Sequence, residues 1–156
     1  MNDTANKAMP KTPRKEQDAA DELRITAVNT IGGVDPATWD ACAGAYGDRK
    51  IIVGSRPSPT PDVMCHEIGH ALDDLDGTAG RWQSDSPDFC RLYQRCMSLL
   101  ASAFHRQGGP LGRREFFADS FAAITSGQRP ALVEMLSGDT RAALDVMLYF
   151  NVRYGI

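Results

Sequence analysis

The stretch from Cys65 to Asp74 constrains this chain most, because it reads Cys-His-Glu-Ile-Gly-His-Ala-Leu-Asp-Asp. His66 and His70 are four residues apart, and on an α-helix such side chains share one face, where both imidazoles can reach one ion. Two neutral imidazoles supply half of a tetrahedral Zn²⁺ shell, and Glu67 can hold the water that completes it. The same pattern also arises by chance on an amphipathic helix, so the interpretation depends on finding further ligands elsewhere in the chain.

Length, composition and charge favour one globular domain and argue against two classes of partner. The chain has 156 residues, of which 42% are hydrophobic and 24% charged, as is typical of a globular protein with one core. Its formal net charge of −3 argues against nucleic-acid binding, which needs a basic face. No apolar run approaches the ~20 residues that span a bilayer, so no membrane partner is expected.

The N-terminal part of the chain is polar and differs from the rest. Residues 1–22 contain prolines and scattered charges, and they lack the apolar stretch of a signal peptide. We therefore predict a flexible leader over residues 1–22 and a single domain over residues 23–156. Without a classical signal peptide, the chain is expected in the cytoplasm of the producing cell, and export would need another route.

The domain is predicted to be α+β and mostly helical, with a small N-terminal sheet beside the histidine helix. Leu23–Asn29 and Lys50–Gly54 carry the β-branched and other apolar residues that are typical of strands. Between them, Asp35 and Pro36 favour a short helix that runs to about Ala43, before two glycines. The second strand directly precedes the histidine helix, where it either lines a cleft or fills the core.

Apolar periodicity and capping residues predict five helices in the second part of the chain. In the first of these, apolar positions such as Ile68 and Leu75 are expected to face the core while the histidines face a cleft. Thr60 or a neighbour is expected to cap its start, and Gly77 its end in a left-handed conformation. The predicted helices cover about residues 62–75, 86–104, 112–125, 129–136 and 140–151, the last capped by Asp139.

The cysteines do not suggest a metal site of their own. The chain has four of them, and no two are spaced as Cys-x-x-Cys. A disulfide framework needs an oxidising compartment, for which the sequence offers no signal. We therefore expect reduced and mostly buried thiols at Cys42, Cys65, Cys90 and Cys96.

A metal site needs at least one more ligand than the two histidines, and His105 and the carboxylates are the candidates. Glu115 stands out, because Glu115 and Asp119 repeat the four-residue helical spacing on a helix rich in phenylalanine. One carboxylate can bind the metal while the other, one turn later, accepts the free N–H of a ligand histidine. A solvated acidic face is the alternative, and two matched clusters in one small chain argue against it.

Taken together, the His66–His70 and Glu115–Asp119 clusters resemble the motifs of the gluzincin metallopeptidases. Within that group it is similar to the anthrax lethal factor-like protease domains, in which a histidine motif with Ala-x-Asp-Asp precedes a Glu-Phe-Phe-Ala-acidic-x-Phe helix. The matching stretches here are His66–Asp74 and Glu115–Phe121, and the likeness covers about residues 50–125. It implies a zincin-like fold and zinc endopeptidase activity.

The resemblance also implies a role for each motif residue. His66, His70 and Glu115 would bind Zn²⁺. Glu67 would act as the general base, and Asp119 would support a ligand histidine from behind the metal. The chain departs from the family in one respect, because Gly108-Gly109-Pro110 stands where the family has a carbonyl-polarising tyrosine. The candidates to replace that tyrosine as a transition-state stabiliser are His105, Arg113, Arg114, Tyr46, Tyr149 and Tyr154.

The sequence is also compatible with other functions. The Glu115–Ala122 stretch also resembles the ImmA/IrrE peptidases, cytoplasmic bacterial enzymes that cleave repressors, although their two motifs are usually closer together. The toxin-like resemblance implies a bacterial effector that is delivered into a host or rival cell, acts on a protein or peptide, and has an immunity protein or secretion chaperone as partner. A zinc-binding module without catalysis is the alternative class, and the retention of Glu67 argues against it.

The region after the histidine motif is also rich in negative charge. Seven acidic residues lie between Asp62 and Asp88, opposed only by Arg81. A cleft bordered by one sign of charge attracts ligands of the other sign, which would favour a basic substrate segment. A solvated acidic loop is the alternative.

Overall fold

The computed structural model of the protein describes residues 43–47, 49–54, 58 and 60–156. The predicted leader, the predicted strand Leu23–Asn29 and nearly all of the helix predicted from Asp35 lie outside these residues. The described part is mixed α+β and mostly helical, with a small two-stranded antiparallel sheet, which confirms the predicted class. Its elements are β1 (Gly44–Gly47), β2 (Lys50–Val53), α1 (Val63–Leu75), α2 (Pro87–Cys96), α3 (Leu111–Thr125), α4 (Arg129–Met135) and α5 (Thr140–Tyr154).

The two strands form a hairpin in which Gly44 pairs with Val53. β2 confirms the predicted second strand. The sequence does not predict β1, because Gly44 and Gly47 are interpreted there only as the end of the helix from Asp35. Of the four residues of β1 only Tyr46 is of a type enriched in strands, while two glycines and an alanine disfavour one, so the local signal is weak. Tertiary contact decides the conformation: β1 is buried, and Tyr46 donates a hydrogen bond to Asp74 of α1 at 2.7 Å.

Helix α1 has the predicted length but different caps. Asp62 is the N-cap, and its side chain accepts a hydrogen bond from the Cys65 backbone N–H at 2.8 Å. At the other end, Asp76 follows the helix with φ −86°, and Gly77 does not adopt the predicted left-handed conformation. A glycine is required there for space, because a Cβ would lie 1.8 Å from the Arg81 carbonyl oxygen.

The buried face of α1 is the reverse of the predicted one. Ile68 and Leu75 are 39% and 58% exposed, whereas both histidines of the motif are buried. The predicted apolar core face of this helix is therefore wrong. The reason lies in the neighbouring helix: α1 packs on α3 through the polar residues of both motifs, and His66 donates a hydrogen bond across to Asp119. The fully buried positions of α1 are His66, Glu67, Gly69, His70 and Asp73.

Helix α3 is buried on two sides and connects the apolar core to the polar cluster. On one side, the Phe117 ring packs against those of Phe89 and Phe150 at centroid distances of 5.1 and 5.0 Å. On the side toward α1, Gly69 meets Ala118 so closely that a Cβ at position 69 would lie 2.8 Å from the Ala118 Cα atom. The aromatic core thus fixes α3, and the glycine lets α1 approach it.

Helix α2 is shorter than the spacing of its apolar residues predicts. α2 ends at Cys96, followed by a 3₁₀ turn over Met97–Leu99, so the prediction of one helix to about residue 104 is wrong. Contacts with distant residues replace the helical hydrogen bonds: the Ala101 N–H donates to the Met135 carbonyl at 2.9 Å. The remaining boundaries agree closely with the prediction, and Asp139 caps α5 by accepting a bond from the Ala142 N–H at 2.9 Å.

Three of the four cysteines lie in the described residues, where they are free thiols. Cys96 is buried in the core, whereas Cys65 and Cys90 are only half-buried, so the expectation of mostly buried thiols is wrong for these two. Within the described part of the chain, no helix combines the length and apolar character that a membrane crossing requires.

Candidate metal centre

Two helices bring together three potential metal ligands at their buried interface. α1 supplies His66 and His70 from one face, and α3 supplies Glu115 from the facing side. The Nε2 atoms of the histidines are 3.0 Å apart, and each lies 3.4 Å from Glu115 Oε2. All three side chains are buried. This group could therefore hold a metal ion.

The dimensions of the group can be compared with those of a tetrahedral zinc site. Metal–ligand distances of about 2.0–2.1 Å place neighbouring ligand atoms about 3.3–3.4 Å apart at the corners of a tetrahedron. The three observed separations, 3.0, 3.4 and 3.4 Å, approximate one face of it. Neither Glu115 carboxylate oxygen finds a hydrogen-bond partner among the described residues, which is costly for a buried carboxylate. A cation at this position would satisfy the carboxylate, so the residues fit a metal ion.

The charges within the group are strongly coupled. Burial by itself would raise the pKa of Glu115, but the two adjacent imidazoles outweigh burial and lower it to about 2. Burial would likewise lower the pKa of His66, but Asp119 and Glu115 outweigh it and raise that pKa to about 10. Burial lowers the pKa of His70. In the metal-free protein, His66 therefore carries a proton on both ring nitrogens near neutral pH. A metal ion must displace the proton on Nε2 in order to bind.

Asp119 lies one turn beyond Glu115 and holds the outer nitrogen of a ligand histidine. His66 Nδ1 donates to Asp119 Oδ1 at 2.6 Å. This bond assigns a proton to Nδ1 and directs the Nε2 lone pair of neutral His66 toward His70 and Glu115. Burial would raise the pKa of Asp119, but the two histidines in contact with it keep that pKa well below its ordinary value.

Glu67 follows the first ligand histidine and is 2% exposed. Its Oε2 atom finds no hydrogen-bond partner among the described residues. Burial raises the pKa of Glu67 to about 7, with the nearby carboxylates adding to the effect and His66 opposing it. β1 passes directly over this side chain, because a Cβ at position 44 would lie 2.7 Å from Glu67 Oε1. Gly44 thus allows β1 to cover the Glu67 carboxylate, which can accept or release a proton near neutral pH.

His105 lies behind Asp119 rather than beside the three ligand atoms. Its Nε2 atom donates to Asp119 Oδ2 at 2.8 Å, and the residue is buried in the 3₁₀ turn Phe104–Arg106. One carboxylate therefore separates His105 from His66, and the Nε2–H is already used. This position suits support of Asp119 better than contact with a substrate carbonyl.

The other candidates for a carbonyl-polarising residue have structural partners. Arg113 donates to the Ser84 carbonyl at 3.0 Å and pairs with Asp85. Tyr149 accepts a hydrogen bond from Gln83, and Tyr154 donates to Asp76, beside a groove of about 810 Å³ between α2 and α5. Tyr46 and Arg114 both contact Trp82, whose ring in turn contacts that of His70.

Trp82 packs directly against the candidate metal centre. Its ring meets the His70 ring edge-on at a centroid distance of 6.3 Å and the Tyr46 ring at 6.4 Å. The Arg114 guanidinium lies 4.1 Å from the Trp82 ring centroid, a cation–π contact. From sequence, Trp82 is a lone aromatic in a polar loop, and nothing in its spacing connects it to the histidines.

Asp73 is a buried acid that the sequence reasoning did not single out as a site residue. It is fully buried one turn after His70, and its Oδ1 accepts a hydrogen bond from the Ser84 N–H at 2.5 Å. Burial raises the pKa of Asp73 to about 7, against the bonds from Ser84. The only available signal was its spacing of three residues from His70, which places both on one helix face. Asp73 anchors the loop that carries Trp82.

The acidic residues around the motif have mostly structural contacts. Glu67 and Asp73 are buried, Asp62 caps α1, and Asp74 accepts from Tyr46. The other three are each paired with arginine: Asp76 with Arg153, Asp85 with Arg113 and Arg114, and Asp88 with Arg91. Little unpaired negative charge is left to attract a basic substrate segment, so these contacts argue against the predicted electrostatic preference.

Comparison with protein-family models gave no match to this sequence, and comparison with curated proteins gave none either.

Proposed function

We propose that the protein is a zinc-dependent endopeptidase with a zincin-like active site. One observation carries the proposal: His66, His70 and Glu115, from two different helices, form a buried group with the dimensions of a zinc site. Glu67 adjoins this group as a carboxylate with an oxygen that has no hydrogen-bond partner in the described chain. The combination of three protein ligands and an adjacent acid is typical of a catalytic zinc site.

The proposed reaction divides the work between the metal and the protein. A zinc ion held here supplies Lewis-acid chemistry, which lowers the pKa of water toward 7. Glu67 accepts the proton of the attacking water through its unpaired oxygen and then passes that proton to the leaving amine. Asp119 holds His66 in the required tautomer, and β1 shields Glu67 from bulk water. In the metal-free protein, burial raises the pKa of Glu67 to about 7.

A structural or purely binding role for the site is less consistent with its composition. Closed structural zinc sites use four protein ligands, mostly Cys or His, whereas the group here has three ligands of which one is a carboxylate. Burying the Glu67 Oε2 atom without a hydrogen-bond partner among the described residues costs folding free energy, and metal binding alone gives no return for that cost. Proton transfer during hydrolysis would give a reason to bury this carboxylate. Delivery as an effector into another cell rests on the family resemblance and stays a prediction.

The experiment compares Glu67→Gln with the wild type on an unbiased peptide library, alongside metal analysis of both proteins. Glutamine has nearly the same size but cannot accept the proton. We expect the variant to keep one zinc ion per chain and to lose about 10²- to 10⁴-fold in cleavage rate. Glu134→Gln is the matched control, because Glu134 is an exposed residue of α4.

Two results would contradict the proposal. Zinc-free protein from purification without chelator, which also fails to bind added zinc, would remove the metal. Near wild-type cleavage by Glu67→Gln would remove the general base and favour another mechanism. Loss of cleavage in the Glu134→Gln control as well would point to a general effect of surface charge.

A further inference from the structure

Asp119 is shared between two histidines, only one of which belongs to the candidate metal group. Its Oδ1 accepts from His66 Nδ1 at 2.6 Å, and its Oδ2 accepts from His105 Nε2 at 2.8 Å. We propose that His105 is a positioning residue, which acts through Asp119 to hold His66 in the orientation that binds zinc. This inference rests on the proposed zinc site and adds a residue that neither sequence motif contains.

Three residues of α2 and α3 hold His105 at this position. The Tyr93 hydroxyl of α2 donates to the His105 carbonyl at 2.5 Å. At the start of α3, Gly112 allows the same carbonyl to approach, because a Cβ there would lie 2.5 Å from it. The His105 ring also meets the Phe116 ring of the core at a centroid distance of 6.2 Å. The aromatic core thus holds the His105 imidazole in place, and the imidazole in turn holds Asp119.

His105 contributes a single N–H donor to Asp119. Its other ring nitrogen, Nδ1, is buried without a hydrogen-bond partner among the described residues. A carboxylate held at one oxygen can still rotate about its Cβ–Cγ bond, whereas a carboxylate held at both oxygens has a fixed plane. A fixed plane of Asp119 fixes the direction of the Oδ1 lone pairs, and through them the His66 ring. Outer hydrogen-bond partners of this kind typically change metal affinity about 10- to 100-fold.

The test measures zinc affinity of the full chain by competition with a chromophoric chelator. His105→Leu removes the donor, and we expect its affinity to fall about 10-fold. His105→Gln places an amide N–H near the position of Nε2, so it should recover to within about 3-fold of wild type. Met97→Leu changes an exposed residue of the neighbouring 3₁₀ turn Met97–Leu99 and should leave zinc affinity unchanged. Urea unfolding of each metal-free variant shows whether the fold is kept.

Asp119→Asn tests whether the effect passes through Asp119. In that background, adding His105→Leu should change zinc affinity by less than about 2-fold, because the connection to His66 is already broken. If His105→Leu does not fold, His105→Asn provides the same comparison, since its shorter amide cannot reach Asp119 as glutamine can.

Three outcomes overturn the inference while the wild type still binds zinc. Affinity is unchanged in His105→Leu, or the glutamine variant is no better than the leucine or asparagine variant, or His105→Leu has its full effect in the Asp119→Asn background. Failure of the wild type to bind zinc is a different result, because it contradicts the proposed function itself.

Discussion

Replacing Gly69 by alanine tests whether the candidate metal centre depends on the close approach of α1 and α3. A Cβ at position 69 would lie 2.8 Å from the Ala118 Cα atom and 3.1 Å from the Ala118 carbonyl oxygen. Carbon atoms in ordinary contact are about 3.5–4.0 Å apart, so the two helices must separate by about 1 Å. Both contacted atoms belong to the backbone, and a rotamer change cannot relieve the clash.

The metal group spans the interface that would open. His66 and His70 are on α1, and their distances of 3.4 Å to Glu115 Oε2 cross to α3. An increase of about 1 Å would take these distances beyond the ~3.4 Å edge of a tetrahedral zinc site. We expect zinc affinity to fall at least 10-fold. The effect on folding should be smaller, because overpacking costs about 1–3 kcal/mol and alanine returns about 1 kcal/mol of helix propensity.

The assay measures zinc affinity by chelator competition and the free energy of unfolding in urea without metal. Gly108→Ala is the matched control, since a Cβ at that position meets nothing within 4 Å. It should leave zinc affinity unchanged. If Gly69→Ala binds zinc within about 2-fold of wild type, the three ligands do not depend on helix spacing, and the proposed two-helix geometry of the site is refuted.

Two further substitutions test the surroundings of the site. Burial raises the pKa of Asp73 to about 7, so its contribution to stability is fully present below pH ~4 and is lost as the pH rises to about 7. Urea unfolding of wild type over that range should show a loss of up to about 4 kcal/mol that Asp73→Asn lacks, and parallel pH profiles would contradict the assignment. Gly44→Ala places a Cβ 2.7 Å from Glu67 Oε1, so it should slow peptide cleavage about 10-fold or more while zinc content stays constant. Unchanged cleavage would show that β1 does not position Glu67.

Local spacing determined the parts of this protein that the sequence could predict. The four-residue interval of the histidines, and that of Glu115 and Asp119, depends only on the helical repeat, and the structure brings three of these side chains together. The boundaries of α3, α4 and α5 were also predictable, because glycine, proline and the Asp139 cap act within one turn of the chain. The mixed, mostly helical class follows from the same signals.

Contacts between distant residues decided the rest. β1 has weak strand propensity and is buried against α1. α2 ends at Cys96, and soon beyond it Ala101 bonds to the distant Met135 instead of continuing the helix. The sequence predicted an apolar buried face for α1, but burial depends on the neighbour, and α3 presents carboxylates there. His105 shows the same limit: its residue type suggested contact with substrate, and only the fold revealed that Asp119 lies between it and His66.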